Sequence, residues 1–590
     1  MSRNPTSHRT AALAVTLAVL GGATAATATA TATVPPGAQK PAPGAPSAAG
    51  AAPRVEFART LPGASRLLVT FSDAPRRAAA EARLAGLGEL APVVPEAGVW
   101  GLSPSAPAGA RARVLARAQV AGAEWSLTRR TADRPAPPSP PGAAPPVTDP
   151  FFTPSSQWGL LAGSTWGADL ITLGPRPAIA VLDSGIDSGH EEWGGPASPL
   201  IAPRSTLRGD ADAGDHGISG HGTHVAGIAA APANGVGVVG VAPAVQGAAS
   251  VIPVQIADRD GSSTDETMMR GIRHAVLNGA KVINISAGGP GYSQAFQDTV
   301  FWATARGALI VASVGNQGQD VNALNFPAGY RRVLGVGAQC DGIVTFDCPR
   351  PFAAATFSNH NRTVDVIAPG VNVLSSVPRR VNERVVAPGY ALKDGTSMAA
   401  PYVSGVAALV QAANGGALSP YQLARHLKNT ATDIGTTGRD NTNGFGVVNP
   451  RAAVSLQGPE DDVGEVNDDI KWLAGTTRLN EAGRPLVIRA TADQFEDSED
   501  VYAVRLKRGE RLRVVLTHGR PRLDLYLWDP GTRTVGTENG NLERHLIDYR
   551  PGTRPTGVIV HRAKRSGVYY VDVFARRGGG PYTLRLTRQR

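Results

Sequence analysis

Short, unbroken apolar runs recur through the middle of the chain: "AIAVL" (178–182), "VIPVQI" (251–256), "KVINIS" (281–286), "ALIVAS" (308–313) and "VLGVGA" (333–338). Runs of this length, mostly apolar and rich in β-branched residues, predict strands buried on both faces. Segments of helical spacing lie between them, at 264–278 and 293–306, and Ser263-x-x-Glu266 resembles a capping box opening the first. Buried strands alternating with helices predict an α/β domain over 150–456, a parallel sheet flanked by helices. Sites in such sheets lie beyond the carboxyl ends of the strands.

On either side the pattern changes. Within 55–130, a strand-like run (66–71), two helix-like stretches (76–88 and 109–122) and a closing "AEWSL" (123–127) predict a small α/β module. From 477 to 590 apolar and polar positions alternate, as at Leu512, Val514 and Leu516 and again at Leu523, Leu525 and Leu527. With turn residues between the runs, this predicts an antiparallel β-sandwich. A Pro-rich connector over 131–149 is short of N–H donors for regular structure and easily cut. An acidic stretch within 457–476 reads as a second linker, and the Pro/Ala/Gly-rich segment 33–54 as unstructured.

Composition adds three constraints. A chain of 590 residues is too long for one core, so several domains are expected. The net charge is +10, but the arginines are scattered with no basic stripe interleaved with aromatics, and nucleic acid is not an expected partner. Arg3, His8 and Arg9 precede the apolar stretch 11–26 and a run of Ala-Thr repeats, which reads as a signal peptide over 1–32. That stretch is short for a membrane span and no second candidate follows, so a secreted, soluble chain without a membrane anchor is expected. In an oxidising compartment the two cysteines, Cys340 and Cys348, either close one small disulfide loop or stay as two thiols.

Four residues carry candidate chemistry. Asp183 follows the run 178–182, His221 opens "HGTHVAG" (221–227), Asn316 follows the run 308–313, and Ser397 stands in "DGTSMAAP" (394–401) ahead of a helix-like segment. Each alone has a plain structural explanation: a turn aspartate, a core or surface histidine, a turn asparagine, and a serine N-cap. Together they supply a nucleophile, a base, an acid to orient the base and an amide for the oxyanion, which is the outfit for acyl transfer.

The three stretches "AVLDSGID" (180–187), "HGTHVAG" and "GTSMAAP" (395–401), in the order Asp, His, Ser, resemble the subtilisin-like serine peptidases. The resemblance covers 150–456 and implies a secreted serine endopeptidase. Asp183, His221 and Ser397 would form its triad, Asn316 would bind the oxyanion, and His224 would be structural. Ser286, Ala287 and Gly288 in "ISAGGP" would wall one side of the main specificity pocket, and "ASVGN" the other, with Val314 making it shallower or narrower. Gly261 in "DGSSTDE" would lie on the second substrate-flanking strand. No acid is placed at the pocket floor, so a broad or apolar preference is expected rather than a basic one.

The resemblance also implies an inhibitory propeptide over 55–130, a mature enzyme starting near "DPFFTPSSQWGL" (149–160), and a self-processing zymogen. Residues 477–590 resemble the sandwich appended to secreted bacterial peptidases, with substrate binding, stability and removal all open as roles. No cofactor is implied for catalysis. The loop "PANGVGVVGVAP" (232–243) is similar to the family loop around a structural calcium, with Asn234, the carbonyls of Val236 and Val238, and Glu192 as ligands. Expected partners are polypeptide substrates and the chain's own propeptide, acting on a monomer. Two other readings are an inactive relative serving as a binding protein, and a binding sandwich with the peptidase as passenger.

Overall fold

The computed structural model describes residues 66–590, apart from 108, 118–119, 132–133, 136–148, 162–176, 195–197, 244–249, 382–383, 460–466, 468, 471–472, 474, 481, 495–497, 520–521, 536–544 and 590. The expected signal peptide, the segment 33–54 and most of the Pro-rich connector lie outside the described residues.

The N-terminal module is a four-stranded antiparallel sheet in the order β2-β3-β1-β4, made of β1 (Leu67–Phe71), β2 (Gly88–Val94), β3 (Val99–Pro104) and β4 (Val120–Trp125). Two short helices, α1 (Arg77–Arg83) and α2 (Ala110–Leu115), accompany it. Both are shorter than their patterns predict; after α1 the chain turns through Gly86, whose φ of 76° suits glycine.

The connector after this module departs from expectation. β6 (Arg134–Pro135) is a strand within it, and β5 (Thr128–Thr131) runs from the end of the module's range into its first residue; open edges of the next domain supply the partners of both.

The central sheet has seven strands, all paired in parallel, in the order β15-β14-β13-β11-β7-β9-β8. Its members are β7 (Ile179–Asp183), β8 (Arg204–Ser205), β9 (Val251–Gln255), β11 (Val282–Ile285), β13 (Leu309–Ser313), β14 (Val333–Gln339) and β15 (Val366–Pro369). Along β7, Ile179 and Val181 enter one hydrophobic cluster and Ala180 and Leu182 another, so both faces are buried and no polar residue interrupts the run. The first face carries α4 (His221–Ala230) and α7 (Thr396–Ala413); the second carries α5 (Asp265–Leu277) and α6 (Gln294–Thr304). The short α3 (Trp158–Leu161), α8 (Pro420–Asn429) and α9 (Pro450–Ser455) complete this domain. The cap of α5 lies one residue later than predicted: Thr264 is the N-cap, and it exchanges hydrogen bonds with Thr267.

Two small sheets lie outside the main one. β10 (Ser262–Thr264) and β12 (Ala287–Gly288) hold β5 between them, and the hairpin of β16 (Val373–Val381) and β17 (Arg384–Asp394) takes β6 onto its edge. Cys340 and Cys348 are joined in a disulfide just beyond β14.

The C-terminal region is an antiparallel sandwich of two four-stranded sheets, β18-β25-β20-β23 and β19-β24-β21-β22. The strands are β18 (Leu486–Asp493), β19 (Glu499–Leu506), β20 (Arg511–His518), β21 (Arg522–Trp528), β22 (Leu546–Arg550), β23 (Thr556–Arg562), β24 (Gly567–Arg577) and β25 (Gly579–Gln589). The predicted apolar positions on β20 and β21 all lie in its core. The end of the acidic segment belongs to it too: the Asn467 carbonyl accepts from the Val501 N–H at 2.9 Å, and the Asp469 carboxylate accepts from Val535 at 2.9 Å and from Thr534 at 2.8 Å. Among the described residues no helix is long and apolar enough to cross a membrane.

Candidate active site

Asp183 is the last residue of β7, His221 the first of α4 and Ser397 the second of α7, so all three collect at the carboxyl edge of the sheet. Each is at most 1% exposed. The His221 ring nitrogen Nδ1 lies 2.7 Å from Asp183 Oδ1, which also accepts from the Ser184 N–H at 2.7 Å. A hydrogen bond from Nδ1–H to this carboxylate would make Nε2 the ring's proton acceptor.

The helices reach this edge because small residues let them pack closely. A methyl built on Gly405 of α7 would lie 2.9 Å from the carbonyl oxygen of Ala229 of α4. On Gly222, one would meet the Gly185 carbonyl at 2.2 Å, so α4 can start against the β7 loop only with glycine there.

Pro401 lies inside α7 and has no N–H for the carbonyl of Ser397, four residues earlier. That carbonyl instead accepts from Ser286 Oγ at 2.9 Å, while Ser397 Oγ donates to the Ser286 carbonyl at 3.1 Å. The proline therefore ties the candidate nucleophile to the end of β11. Asn316 Oδ1 accepts from the backbone N–H and the hydroxyl of Thr396, at 2.9 and 2.8 Å. Both bonds fall on the oxygen, which turns the amide nitrogen away from Thr396, beside the start of α7, where the helix dipole favours negative charge.

Asp215 is a supporting residue that the sequence reading missed. It accepts from the Thr223 N–H (3.0 Å) and hydroxyl (2.6 Å), from Ser184 Oγ (2.9 Å) and from the Gly217 N–H (3.1 Å). It thereby clamps the first turn of α4 to the loop after Asp183. Burial pushes its carboxyl above the ordinary carboxylate range. An acidic residue shortly before a histidine-headed helix was the available signal. His224 bonds the carbonyl of Ala391 on β17 at 2.9 Å, a bond to the hairpin.

The substrate-groove residues separate into two groups. Gly261 and Ala287–Gly288 sit on the two edges that receive β5: Thr131 N–H donates to the Gly261 carbonyl at 2.8 Å, and Thr131 and Arg130 pair with Ala287 and Gly288. A methyl on Gly261 (φ 74°) would strike Thr131 Oγ1 at 2.2 Å. Val314 is a correction. It is wholly buried, with its Cγ1 beside Gly335, so any effect of its side chain on the groove is exerted from within the wall. The side chain between the two walls is Asn325, whose Nδ2 donates to the Ser313 carbonyl at 3.0 Å.

In the expected calcium loop, Glu192 Oε1 accepts from the Val238 N–H at 2.7 Å and Asn234 Oδ1 from the Val236 N–H at 3.0 Å. Asp149, also missed by the sequence reading, accepts from the N–H groups of Asn234 and Gly235 at 3.2 and 3.1 Å. Glu192 Oε2 is buried without a hydrogen-bond partner, and burial raises this carboxyl to about 8. An unsatisfied buried oxygen among oxygen donors fits a hard cation. Among the described residues no three His, Cys, Asp or Glu side chains converge on one metal position, so any such ion would need carbonyl ligands.

Residues 174–446 match the subtilase family. Subtilisin BL of Lederbergia lenta is 39% identical over 277 residues, covering 47% of this chain and 89% of its own. Fervidolysin of Fervidobacterium pennivorans is 35% identical over 335 residues, 52% of this chain and 46% of its own. The crystal structure of fervidolysin, described as a keratinolytic enzyme related to subtilisin, superposes with a TM-score of 0.57 at 23% identity, over 88% of this chain and 92% of that one.

Proposed function

The chain belongs to the subtilase family and is a serine endopeptidase, and from that premise we propose that it is a secreted zymogen that processes itself and uses Asp183, His221, Ser397 and Asn316 for catalysis. The observation that carries the catalytic reading is the 2.7 Å contact between His221 Nδ1 and Asp183 Oδ1, at the strand ends where Ser397 heads its helix.

Ser397 Oγ adds to the carbonyl carbon of the substrate, and its proton passes to His221 Nε2. Asp183 holds the ring and stabilises the imidazolium. The Asn316 amide and the Ser397 N–H hold the oxyanion, where preorganised donors act most strongly. His221 then protonates the departing amine, and water releases the acyl group by the reverse sequence. The zymogen reading is supported by β5, which occupies the cleft between β10 and β12 as an extended substrate backbone would.

Calcium in the 232–243 loop is part of the same proposal. Glu192, Asn234 and the carbonyls of Val236 and Val238, with Asp149 beside them, would hold it, and the ion would neutralise the buried Glu192 carboxylate. Melting curves of the Ser397→Ala protein with and without chelator test this; identical curves would leave the loop metal-free.

An organophosphonate tests the catalytic reading. It should label Ser397 covalently, and the Ser397→Ala protein should neither be labelled nor cleave casein. Labelling elsewhere, or none in an active preparation, would overturn it. The sandwich and the physiological substrate carry no finer assignment.

A further inference from the structure

The stretch "GIVTFDCPRPF" (342–352), just beyond β14, is out of keeping with the rest of the surface. Ile343, Val344, Phe346 and Phe352 are 51%, 64%, 85% and 40% exposed. Among the described residues, no other stretch of this length exposes more than one large apolar side chain to this degree. Such side chains need no explanation when scattered singly, but four in one loop form a patch of the kind that takes a partner. The loop is also braced. The Cys340–Cys348 disulfide closes it, and Thr345 and Cys348 exchange backbone hydrogen bonds at 2.9 and 3.2 Å. The Phe352 ring lies against Gly342, where a methyl would meet its Cζ at 3.3 Å. A braced loop loses little conformational freedom when a partner covers it.

A second set of contacts places this loop on the rim of the candidate active site. In the sheet, β13 lies between β14 and β11, so the loop stands beyond Asn316, on the far side from β10 and β12. At its base the Asp341 carboxylate accepts from Asn372 Nδ2 at 2.8 Å, and the Asn372 N–H donates to the Asp394 carboxylate at 2.6 Å. Asp394 is the residue of β17 opposite Arg134 of β6, three positions ahead of Ser397. Further along, the carboxylate of Asp347, next to Phe346, accepts from Gln319 Nε2 at 3.2 Å, three positions after Asn316. β5 precedes β6 in the chain, so the β10 and β12 edges receive the earlier residues of a bound backbone and the β17 edge its later ones. The apolar loop adjoins the second edge.

We infer that the disulfide-closed loop is an apolar holdfast for the leaving-group side of a polypeptide substrate. It takes large apolar side chains several residues beyond the bond that is cut, and so favours long, unfolded, apolar chains over short peptides. This rests on the assignment of Ser397 as nucleophile above. The loop touches a part of the substrate that does not react, so its contribution appears in kcat/KM for extended substrates only.

Internally quenched peptides with a common acyl side and two, four or six residues after the cut bond test this, the longer ones ending in Leu-Phe or Ser-Ser. With the apolar ending kcat/KM should rise by about fivefold, the gain from burying part of one large apolar side chain, and with the serine ending it should stay flat. Phe346→Ser combined with Val344→Ser should abolish the rise, and Phe346→Leu should keep most of it. A peptide anilide, with no residues after the cut bond, should be cleaved equally by all of these proteins. A rise that survives the double substitution, or that follows lengthening of the acyl side instead, overturns the assignment. An equal loss on the anilide in a variant of unchanged melting temperature overturns it too, because the effect would then lie at the catalytic centre. If the double substitution alters the sedimentation coefficient and leaves the peptide series intact, the patch joins two copies of this chain and the substrate reading is wrong. Failure of an organophosphonate to label Ser397 would sink the nucleophile assignment rather than the loop's.

Discussion

The N-terminal module and the sandwich flank the same catalytic domain but are joined to it by different chemistry. The first is anchored by buried charge. Arg129 Nε lies 2.7 Å from Asp265 Oδ1 with both side chains wholly buried, and its other nitrogens reach the carbonyls of Gly289, Pro290 and Gly291. Glu124 covers the start of α6, accepting from Ser293 Oγ and the Ala295 N–H, both at 2.7 Å. Arg66 reaches Glu266 at 2.8 Å. The described contacts of the sandwich are of another kind: Arg331 to Glu499 at 3.1 Å, Tyr421 to the Thr491 hydroxyl at 3.3 Å and Arg425 to the same hydroxyl at 3.5 Å. The N-terminal module is thus held by directional, charge-dependent bonds, the kind that suit the proposed release after self-cleavage.

Ser397→Ala gives the largest effect and separates the two modules most sharply. Peptidase activity should fall by about 10⁶-fold, the size of the loss when the equivalent hydroxyl is removed from subtilisin. The N-terminal module should then stay covalently joined, while deletion of 477–590 should leave kcat within a few-fold; a large loss of kcat on that deletion would erase the contrast.

Arg129→Met comes next. It leaves Asp265 buried without its cation, a loss of about 3–5 kcal/mol. After self-cleavage, the N-terminal fragment should dissociate about 10²–10³-fold faster, read as the earlier onset of activity on a chromogenic peptide. Unchanged onset would mean that the pair is spectator charge.

The third is a pH effect. Burial pushes the Glu124 carboxyl above its ordinary 4.5, with the nearby Asp265 charge adding to the rise, against the N–H donors of α6 and Ser293. A carboxyl whose proton is held more firmly in the complex than in the free fragment favours the complex in acid. Retention should therefore weaken as the pH rises from about 4.5 through the raised value. Glu124→Gln should flatten this dependence of fragment release, and an equally steep profile would exclude Glu124 as its origin.

The smallest effect is expected at the other junction. Arg331→Ala removes an ion pair whose Glu499 is buried but whose arginine is one-third exposed, so solvent screens it and the loss is smaller than at Arg129. Limited proteolysis between the domains should quicken by no more than a few-fold, with kcat unchanged; a drop in kcat would show that the sandwich is coupled to the site.

Much of this molecule was written in local pattern. Five of the seven central strands appear as apolar runs, because burial on both faces leaves few polar residues, such as Asn284 and Gln255, to disguise them. The sandwich strands alternate because only one face of each sheet enters the core. The residues later found at the carboxyl edge were recognisable from three short motifs. Less visible were strands whose partners are supplied from elsewhere. β5, β6, β10 and β12 have two to four residues each, and their pairing exists only once the cleft edges stand apart at the right spacing. Nothing in the residues around Val314 says that its side chain is wholly buried, or that Asn325, eleven positions on, reaches back to the Ser313 carbonyl. Asp149 and Asp215 likewise gain meaning only from the N–H groups brought to them.

The sequence by itself determined the class of fold, the order of the modules and the candidate catalytic set, since periodicity and short-range spacing are properties of contiguous residues. Tertiary structure decided which edges receive β5 and β6, that Asn325 reaches the Ser313 carbonyl, and the buried charges that hold the N-terminal module. Each of these depends on groups far apart in sequence, whose distances are set only when the helices and strands pack.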